Sequence, residues 1–483
     1  MNFRPVLRFI AAAAGAVSLS FIFPIVWSAA VRDSGLLPLA ASMASGAALG
    51  AAMYYAGRGA RCSEMDAREA VLSAAGAWAA VSAVAGLPYF FSGTVTSFLD
   101  ALFEGTSGFT TTGATVIPNL TEVPGSILLW RSFSQWLGGV GIVVLTLAVF
   151  PMSSAGLRLF KAEVAGPAEG RFTPRIQQSA AFICKAYLSL TAAQTILLTF
   201  GGLGLFDSLT LSFSTIATGG FSPHPGNIGH FGSGYVRWVT AVFLFLAASS
   251  LTVFHGLAVT RDLSSARRDP ELGFYMKVFV IFGALTSFLL WKDGGFASPL
   301  KAAATGFFHT ISILSTCGFF TADPGAWPAS VRLLMLMLMF CGGCAVSTAG
   351  GMTCARVLMV LRHIAAEFVK RIHPRAVVPV RLGSFTAEPE VVSGCFAFCA
   401  AYLGLYTAGF LLLTLLGQDM TSALSGAAAS LGNVGPGFGM AAPSAGYHTL
   451  PDSAKCVHIL LMISGRLEIF TLWVIFTPSF WRR

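Results

Sequence analysis

Long apolar stretches alternate with short polar or glycine-rich breaks along the whole chain. The first two stretches, Val6–Ala30 and Leu36–Ala56, are each long enough to cross a bilayer. A four-step pattern then recurs: a long apolar segment, a short one, a Gly-centred polar turn, and a second long apolar segment. The first unit uses Val71–Phe91, Ser97–Phe109, the turn Thr111–Thr115 and Ser126–Phe150. The second uses Ala180–Leu203, Asp207–Ile216, Thr218–Ser222 and Tyr235–Val259. The third uses Leu272–Trp291, Ser298–Leu314, Thr316–Phe320 and a long segment from Ala329. The fourth uses Val391–Leu416, Asp419–Leu431, Asn433–Gly437 and Ala454–Thr477.

The short segments cannot span a membrane as helices. Each opens with a residue suited to an N-cap: Ser97, Asp207, Ser298 (followed by Pro299) and Asp419. Each half-helix would aim its partly negative C-terminal end at the turn, which favours a cation there. The pattern predicts an all-α polytopic membrane protein, with four pseudo-symmetric span–pore helix–span repeats around one pore and an N-terminal two-helix hairpin. The expected boundaries are 1–68 for the hairpin and 69–178, 179–270, 271–385 and 386–483 for the repeats.

The turns carry the candidate chemistry. Gly113, Gly220, Gly318 and Gly435 occupy equivalent positions, with Thr111, Thr218, Thr316 and Asn433 two residues earlier. Successive carbonyls can point at one axis only if the backbone alternates conformations, and glycine reaches positive φ without steric cost. The expected ion-binding set is therefore Thr111, Thr112 and Gly113, then Thr218, Gly219 and Gly220, then Thr316, Cys317 and Gly318, then Asn433, Val434 and Gly435. None of these is a carboxylate. A weak dipolar field suits K⁺ better than Ca²⁺, which prefers carboxylate oxygens.

Two further features sit at membrane depth. The last segment of the third unit is interrupted at 341–351 by a run of small residues, including Gly342, Gly343, Ser347, Thr348, Ala349, Gly350 and Gly351. Helix propensity is poor there. One reading is a flexible loop that obstructs a pore below the turns; the other is close helix packing through small residues. Arg466 lies in the middle of the last apolar segment. An intramembrane arginine is costly and normally faces a watery cavity or a partner. Arg466 is read as facing the pore, as a positive barrier or a latch for the loop; the competing reading is a structural ion pair with another helix. On a continuous helix Glu468 would point about 200° away from it.

Composition narrows the class. The hydrophobic fraction is 55%, the charged fraction 11% and the mean hydropathy +0.73, more apolar surface than a soluble fold can hide. The net charge of +9 is not a nucleic-acid signal, because the basic residues fall in alternate short loops. Arg4 and Arg8, then Arg58, Arg61 and Arg68, then Arg158, Lys161, Arg171 and Arg175 mark one side. Arg261, Arg267 and Arg268, then Arg362, Lys370, Arg371, Arg375 and Arg381, then Arg482 and Arg483 continue it. Both termini are expected in the cytoplasm, with the Gly turns facing outward. The opposite side has only scattered cations such as Arg131 and Lys455. The apolar run from Val6 exceeds a signal-peptide core and is read as an uncleaved hairpin. Nine cysteines lie mostly in apolar segments. Cys341-Gly342-Gly343-Cys344 matches C-x-x-C without a second ligand pair, and is read as buried thiols packing as small hydrophobes. The eight histidines show no ligand spacing, so a membrane-embedded enzyme is disfavoured; His224 is read as an exposed loop residue.

The stretches TTTGATV (110–116), WRSFSQWLGGVG (130–141), KAEVAGPAEGRFTPRI (161–176), HPRAVVPVRLG (373–383), NVGPG (433–437) and GRLEIF (465–470) resemble the Trk/Ktr/HKT superfamily of potassium uptake proteins over essentially the whole chain. The resemblance implies four filter segments around one pore in each subunit of a homodimer. Gly113, Gly220, Gly318 and Gly435 match its filter glycines, Ser347–Gly351 its gating loop and Arg466 its pore arginine. Sodium-permeable plant relatives have Ser at the position of Gly113. A TrkA-like cytosolic ring of nucleotide-binding regulatory subunits is the implied partner, and a bacterial inner membrane the implied location. Thr353 departs from a Lys frequent in the family, and Cys317 is an unusual neighbour for a filter glycine. The expected function is channel-like K⁺ uptake with no cofactor in this chain. The alternative is a sodium or poorly selective cation transporter of the same fold, coupled to H⁺ or Na⁺.

Overall fold

A computed structural model describes residues 1–59, 65–149, 176–250, 269–293, 295–296, 298–345, 347–383, 385–443 and 445–482. The 161–176 stretch and the basic residues Arg61, Arg158, Lys161, Arg171, Arg175, Arg261, Arg267 and Arg268 lie wholly or almost wholly outside them, as does Val346.

The N-terminal hairpin pairs α1 (Phe3–Ser20) and α2 (Ile22–Val31) with α3 (Leu36–Ala56). The first stretch breaks at Phe21 because Pro24 has no N–H to offer the carbonyl of Ser20. Arg32 turns the chain in the left-handed conformation. Asp33 then accepts from Ser126 N at 2.7 Å, which fastens the hairpin to the first repeat.

Repeat one runs α4 (Ala67–Phe91), short α5 (Phe98–Phe109) and α6 (Gly125–Val149). Asp66 and Glu69 form a capping box at the start of α4. Repeat two is α7 (Ile176–Phe200), short α8 (Leu205–Ile216) and α9 (Gly234–Ala247). Repeat three is α10 (Pro270–Lys292), short α11 (Pro299–Leu314), α12 (Ala329–Cys341) and α13 (Cys354–Ile372). A two-residue ribbon, β1 (Arg381–Leu382) against β2 (Phe385–Thr386), leads to repeat four. That repeat has α14 (Pro389–Leu415), short α15 (Met420–Leu431), α16 (Asp452–Arg466) and the short turns α17 (Phe470–Trp473) and α18 (Pro478–Trp481).

Span and short helix pack through small residues, as the bilayer demands where apolar burial gives no drive between helices. A Cβ on Gly105 of α5 would collide with the backbone of Ser82 and Gly86 in α4. One on Gly306 of α11 would collide with Ser287 of α10. Outward faces are apolar and exposed, as at Leu37, Phe200 and Leu415, which suits contact with lipid. Among the described residues six helices are long and apolar enough to cross a membrane.

Three expectations need correction. Asp207 is not an N-cap: Gly204 holds that position, and Asp207 sits in the first turn bonded to His224. Ser298 holds the cap position without a side-chain cap bond, whereas Ser97 and Asp419 do cap. The last apolar segment is not one helix, because it stops at Arg466 and bends by 113° into α17. The second repeat's outgoing helix ends at Ala247, and residues 251–259 of its expected span lie outside the described residues.

Candidate functional site

All four short helices end the same way. The residue just past the helix takes positive φ: Thr111 +52°, Thr218 +51°, Thr316 +59° and Asn433 +54°. The next N–H reaches back five residues, from Thr112 to Ser107, Gly219 to Ser214, Cys317 to Ser312 and Val434 to Ala429, at 2.8–2.9 Å. With the companion bonds from Thr111 to Gly108, Thr218 to Thr215, Thr316 to Ile313 and Asn433 to Ser430, this is the Schellman termination. Glycine usually fills its left-handed position; a β-branched threonine there is strained. Two residues on, the glycines are left-handed as the spacing predicts: Gly113 +86°, Gly220 +82°, Gly318 +76° and Gly435 +95°. The backbone thus alternates hand twice in each turn, through a threonine or asparagine as well as through a glycine.

The turns close on one another. A Cβ on Gly113 would strike the carbonyl oxygen of Gly219, and one on Gly220 that of Cys317. A Cβ on Gly318 would strike Val434 O, and one on Gly435 would strike Thr112 O, returning to the first turn. Each turn therefore lies against the next in chain order, with no room for a side chain at any of the four glycines. Above the ring a cavity of about 130 Å³ is lined by Gly113, Gly220, Gly318 and Pro436 together with Arg131 and His224.

Residues not singled out from sequence brace the ring. Glu104, fully buried on α5, accepts from Arg131 Nε at 2.6 Å, Thr115 Oγ1 at 3.0 Å and Val116 N at 3.0 Å. Arg131 donates onward to Ser222 O at 3.0 Å and lies over the Phe221 ring. This one ion pair ties the first turn to the second. Gln135 donates to Gly219 O at 2.5 Å and accepts from Phe221 N at 3.1 Å. Asn433 donates to Thr112 Oγ1, joining turns four and one, while Tyr447 donates to Gly435 O. Lys455 pairs with Asp100 at 2.6 Å. Arg131 and Lys455 are thus buried partners of the first short helix, not scattered topology signals. His224 is half-buried, bonded to Asp207 at 2.9 Å and stacked on His230.

Beneath the ring, residues 342–345 and 347–353 leave the helical path between α12 and α13. Gly350 N donates to Thr316 Oγ1 at 2.8 Å. Thr348 Oγ1 donates to Ile216 O at 3.1 Å and contacts Thr218 Oγ1 at 3.4 Å. A Cβ on Gly350 would press on Gly432 and Asn433. The loop therefore lies against the undersides of turns two, three and four. Gly343 and Cys344 tie it sideways, through Cys354 N to Gly343 O and Cys344 N to Ala248 O, both 2.8 Å. Buried Glu271 accepts from Ala345 N. Arg466 reaches it from the end of α16: its guanidinium donates to Thr348 O at 2.9 Å, with Gly138 O at 3.5 Å. Glu468 pairs instead with Arg356 at 2.6 Å, and Arg356 lies over Phe398. Among the described residues no carboxylate bonds Arg466, and its guanidinium partners are backbone carbonyls.

Residues 38–483 match the TrkH family, described as cation transport proteins. The chain belongs to this family. A TrkH relative from Vibrio parahaemolyticus, named a Trk system potassium uptake protein, is 35% identical over the full length of both chains. TrkH of Escherichia coli is 33% identical over the full length of both. TrkG of Escherichia coli is 33% identical over 84% of each chain. The crystal structure of the potassium transporter TrkH from Vibrio parahaemolyticus superposes with a TM-score of 0.90, covering all of both chains. The TrkH-family architecture, a multi-pass helical membrane protein, is therefore the architecture of this chain.

Proposed function

We propose that this chain takes up K⁺ through a filter of backbone carbonyls at the four turns. The observation that carries the proposal is the closed ring, in which the carbonyls of Thr112, Gly219, Cys317 and Val434 each abut the glycine of the preceding turn. Such oxygens can replace the hydration shell of a monovalent cation, and no carboxylate is among the turn residues to favour a divalent one. Thr111, Thr218, Thr316 and Asn433 set the entry to each turn and offer side-chain oxygens below the glycines. The potassium-uptake names of the TrkH and TrkG relatives point to the same ion.

Gly342, Gly343 and Ser347–Gly351 serve as the gate and Arg466 as its latch. Transport is channel-like, driven by a membrane potential worth about 2.3 kcal/mol per charge per 100 mV. The chain acts in a bacterial inner membrane with both termini cytoplasmic, as one subunit of a homodimer. A cytosolic TrkA-like nucleotide-binding subunit opens it, landing on the basic cytoplasmic loops. The repeats divide at 69–178, 179–270, 271–385 and 386–483, after a hairpin of 1–68. The test is potassium-limited growth of a bacterium lacking its own uptake systems. The chain restores growth, and Gly113→Ser, whose side chain would meet Gly219 O, abolishes the rescue or admits Na⁺. Equal rescue by both chains contradicts the filter.

A further inference from the structure

Cys341 is the last residue of α12 and Cys354 the first of α13, so two thiols stand at the two ends of the intramembrane loop. Their sulfur atoms are 3.8 Å apart, and Cys354 Sγ is 3.4 Å from Gly342 O. Cys354 is buried and Cys341 half-buried. The close pair is therefore not the C-x-x-C of the sequence but a contact across the loop, made only when both helix ends come together.

We propose that Cys341 and Cys354 form a two-thiol site for a thiophilic divalent cation, Zn²⁺ or Cd²⁺, whose binding ties the loop ends together and arrests the gate. The arrest rests on Gly342, Gly343 and Ser347–Gly351 being the gate; the binding does not. With metal–sulfur bonds of about 2.3 Å, this sulfur separation subtends roughly 110° at the ion, near the tetrahedral angle. A disulfide would require the sulfurs to close to about 2.05 Å. The spacing therefore suits a bridging ion better than a direct bond. Among the described residues no group of three or more His, Cys, Asp or Glu side chains is placed to hold a metal. The remaining positions fall to the Gly342 carbonyl and to water, so the site is a reversible, inhibitory one and not a structural one. Each thiol gives up its proton as the ion binds: M²⁺ + 2 RSH yields M(SR)₂ and 2 H⁺. Binding accordingly tightens as pH rises.

The test uses the purified full-length chain with cadmium chloride. Equilibrium dialysis should retain one Cd²⁺ per chain in the unaltered protein and in Cys456→Ser, which removes an exposed thiol away from the loop, and none in Cys341→Ser or Cys354→Ser. In liposomes, micromolar Cd²⁺ should lower K⁺ flux about ten-fold in the first two proteins, with recovery on adding EDTA, and leave the latter two unaffected. Retention by Cys341→Ser or Cys354→Ser, or no retention by the unaltered chain, overturns the site. Retention without block overturns the arrest. A chain that conducts no K⁺ even without Cd²⁺ fails the transport reading, while the dialysis result still decides the site.

Discussion

The four turns and the loop beneath them are both irregular backbone at membrane depth, yet they are held in opposite ways. Each turn is fixed by its own short helix, through bonds spanning only three to five residues, and by glycines packed against the neighbouring turn. The second turn is further pinned by Gln135 and Arg131. The loop has some local bonds, such as Ser347 Oγ to Cys344 O and Cys354 N to Gly343 O, but most of its anchoring is remote. Its contacts run to Thr316, Ala248, Glu271, Ile216 and Arg466, on elements distant in sequence. Locally closed structure moves as a unit or not at all, whereas a segment held by separate remote contacts can release them together when those elements shift. Rigidity above and releasable contacts below fit the proposal of a filter over a gate.

Substitutions can break either side of this contrast. The largest effect is expected from Gly220→Ala, which adds a Cβ against Cys317 O at a residue with φ +82°. The left-handed conformation alone costs a non-glycine residue about 1–2 kcal/mol, and the overlap forces two turns apart. K⁺ flux in liposomes should fall about 100-fold or more, in keeping with the loss of a coordinating ring. Next is Glu104→Gln, which leaves Arg131 buried without its carboxylate. Breaking one side of a buried pair costs about 3–5 kcal/mol, so the melting temperature in detergent should drop sharply while the loop's own contacts are untouched. Arg466→Ala removes the donor to Thr348 O, the proposed latch. Flux without any regulatory subunit should rise about ten-fold; an unchanged rate and unchanged gating would contradict the latch.

The smallest effect belongs to Asp419, which caps α15 by accepting from Thr421 N and Ser422 N. The Ser422 hydroxyl holds its carboxyl below the ordinary value of 3.8, against a smaller upward push from burial. The stability supplied by the ionised group is therefore complete above that value and is lost as pH falls through the lower folded one. Asp419→Ala should cost about 1 kcal/mol near neutrality. Thermal melts of the two proteins should converge only in acid below pH ~4.

Features that recur with fixed spacing were readable from sequence. The turn glycines, the short helices and the small-residue break after α12 each have a local physical cause that a linear pattern exposes. Features that depend on tertiary meetings were not. Arg131 and Glu104 are 27 residues apart, and nothing in their spacing announces the pair. Gln135 gave no signal, since an amide on an apolar helix declares no partner. The left-handed threonines were missed because threonine resists that conformation, and only the matching four-fold bonding shows that the fold imposes it. An unbroken helix would hold Arg466 and Glu468 about 200° apart, but the bend after Arg466 sends Glu468 to Arg356 instead. Asp207, a good cap by residue type, lies three residues inside the helix's cap and finds His224.

The most direct test is a high-resolution structure of the full chain determined with Rb⁺ in place of K⁺. The account predicts density on the axis of the four turns, ringed by the carbonyl oxygens of Thr112, Gly219, Cys317 and Val434. A map in which the ion is absent from that ring, or bound away from these oxygens, would contradict it.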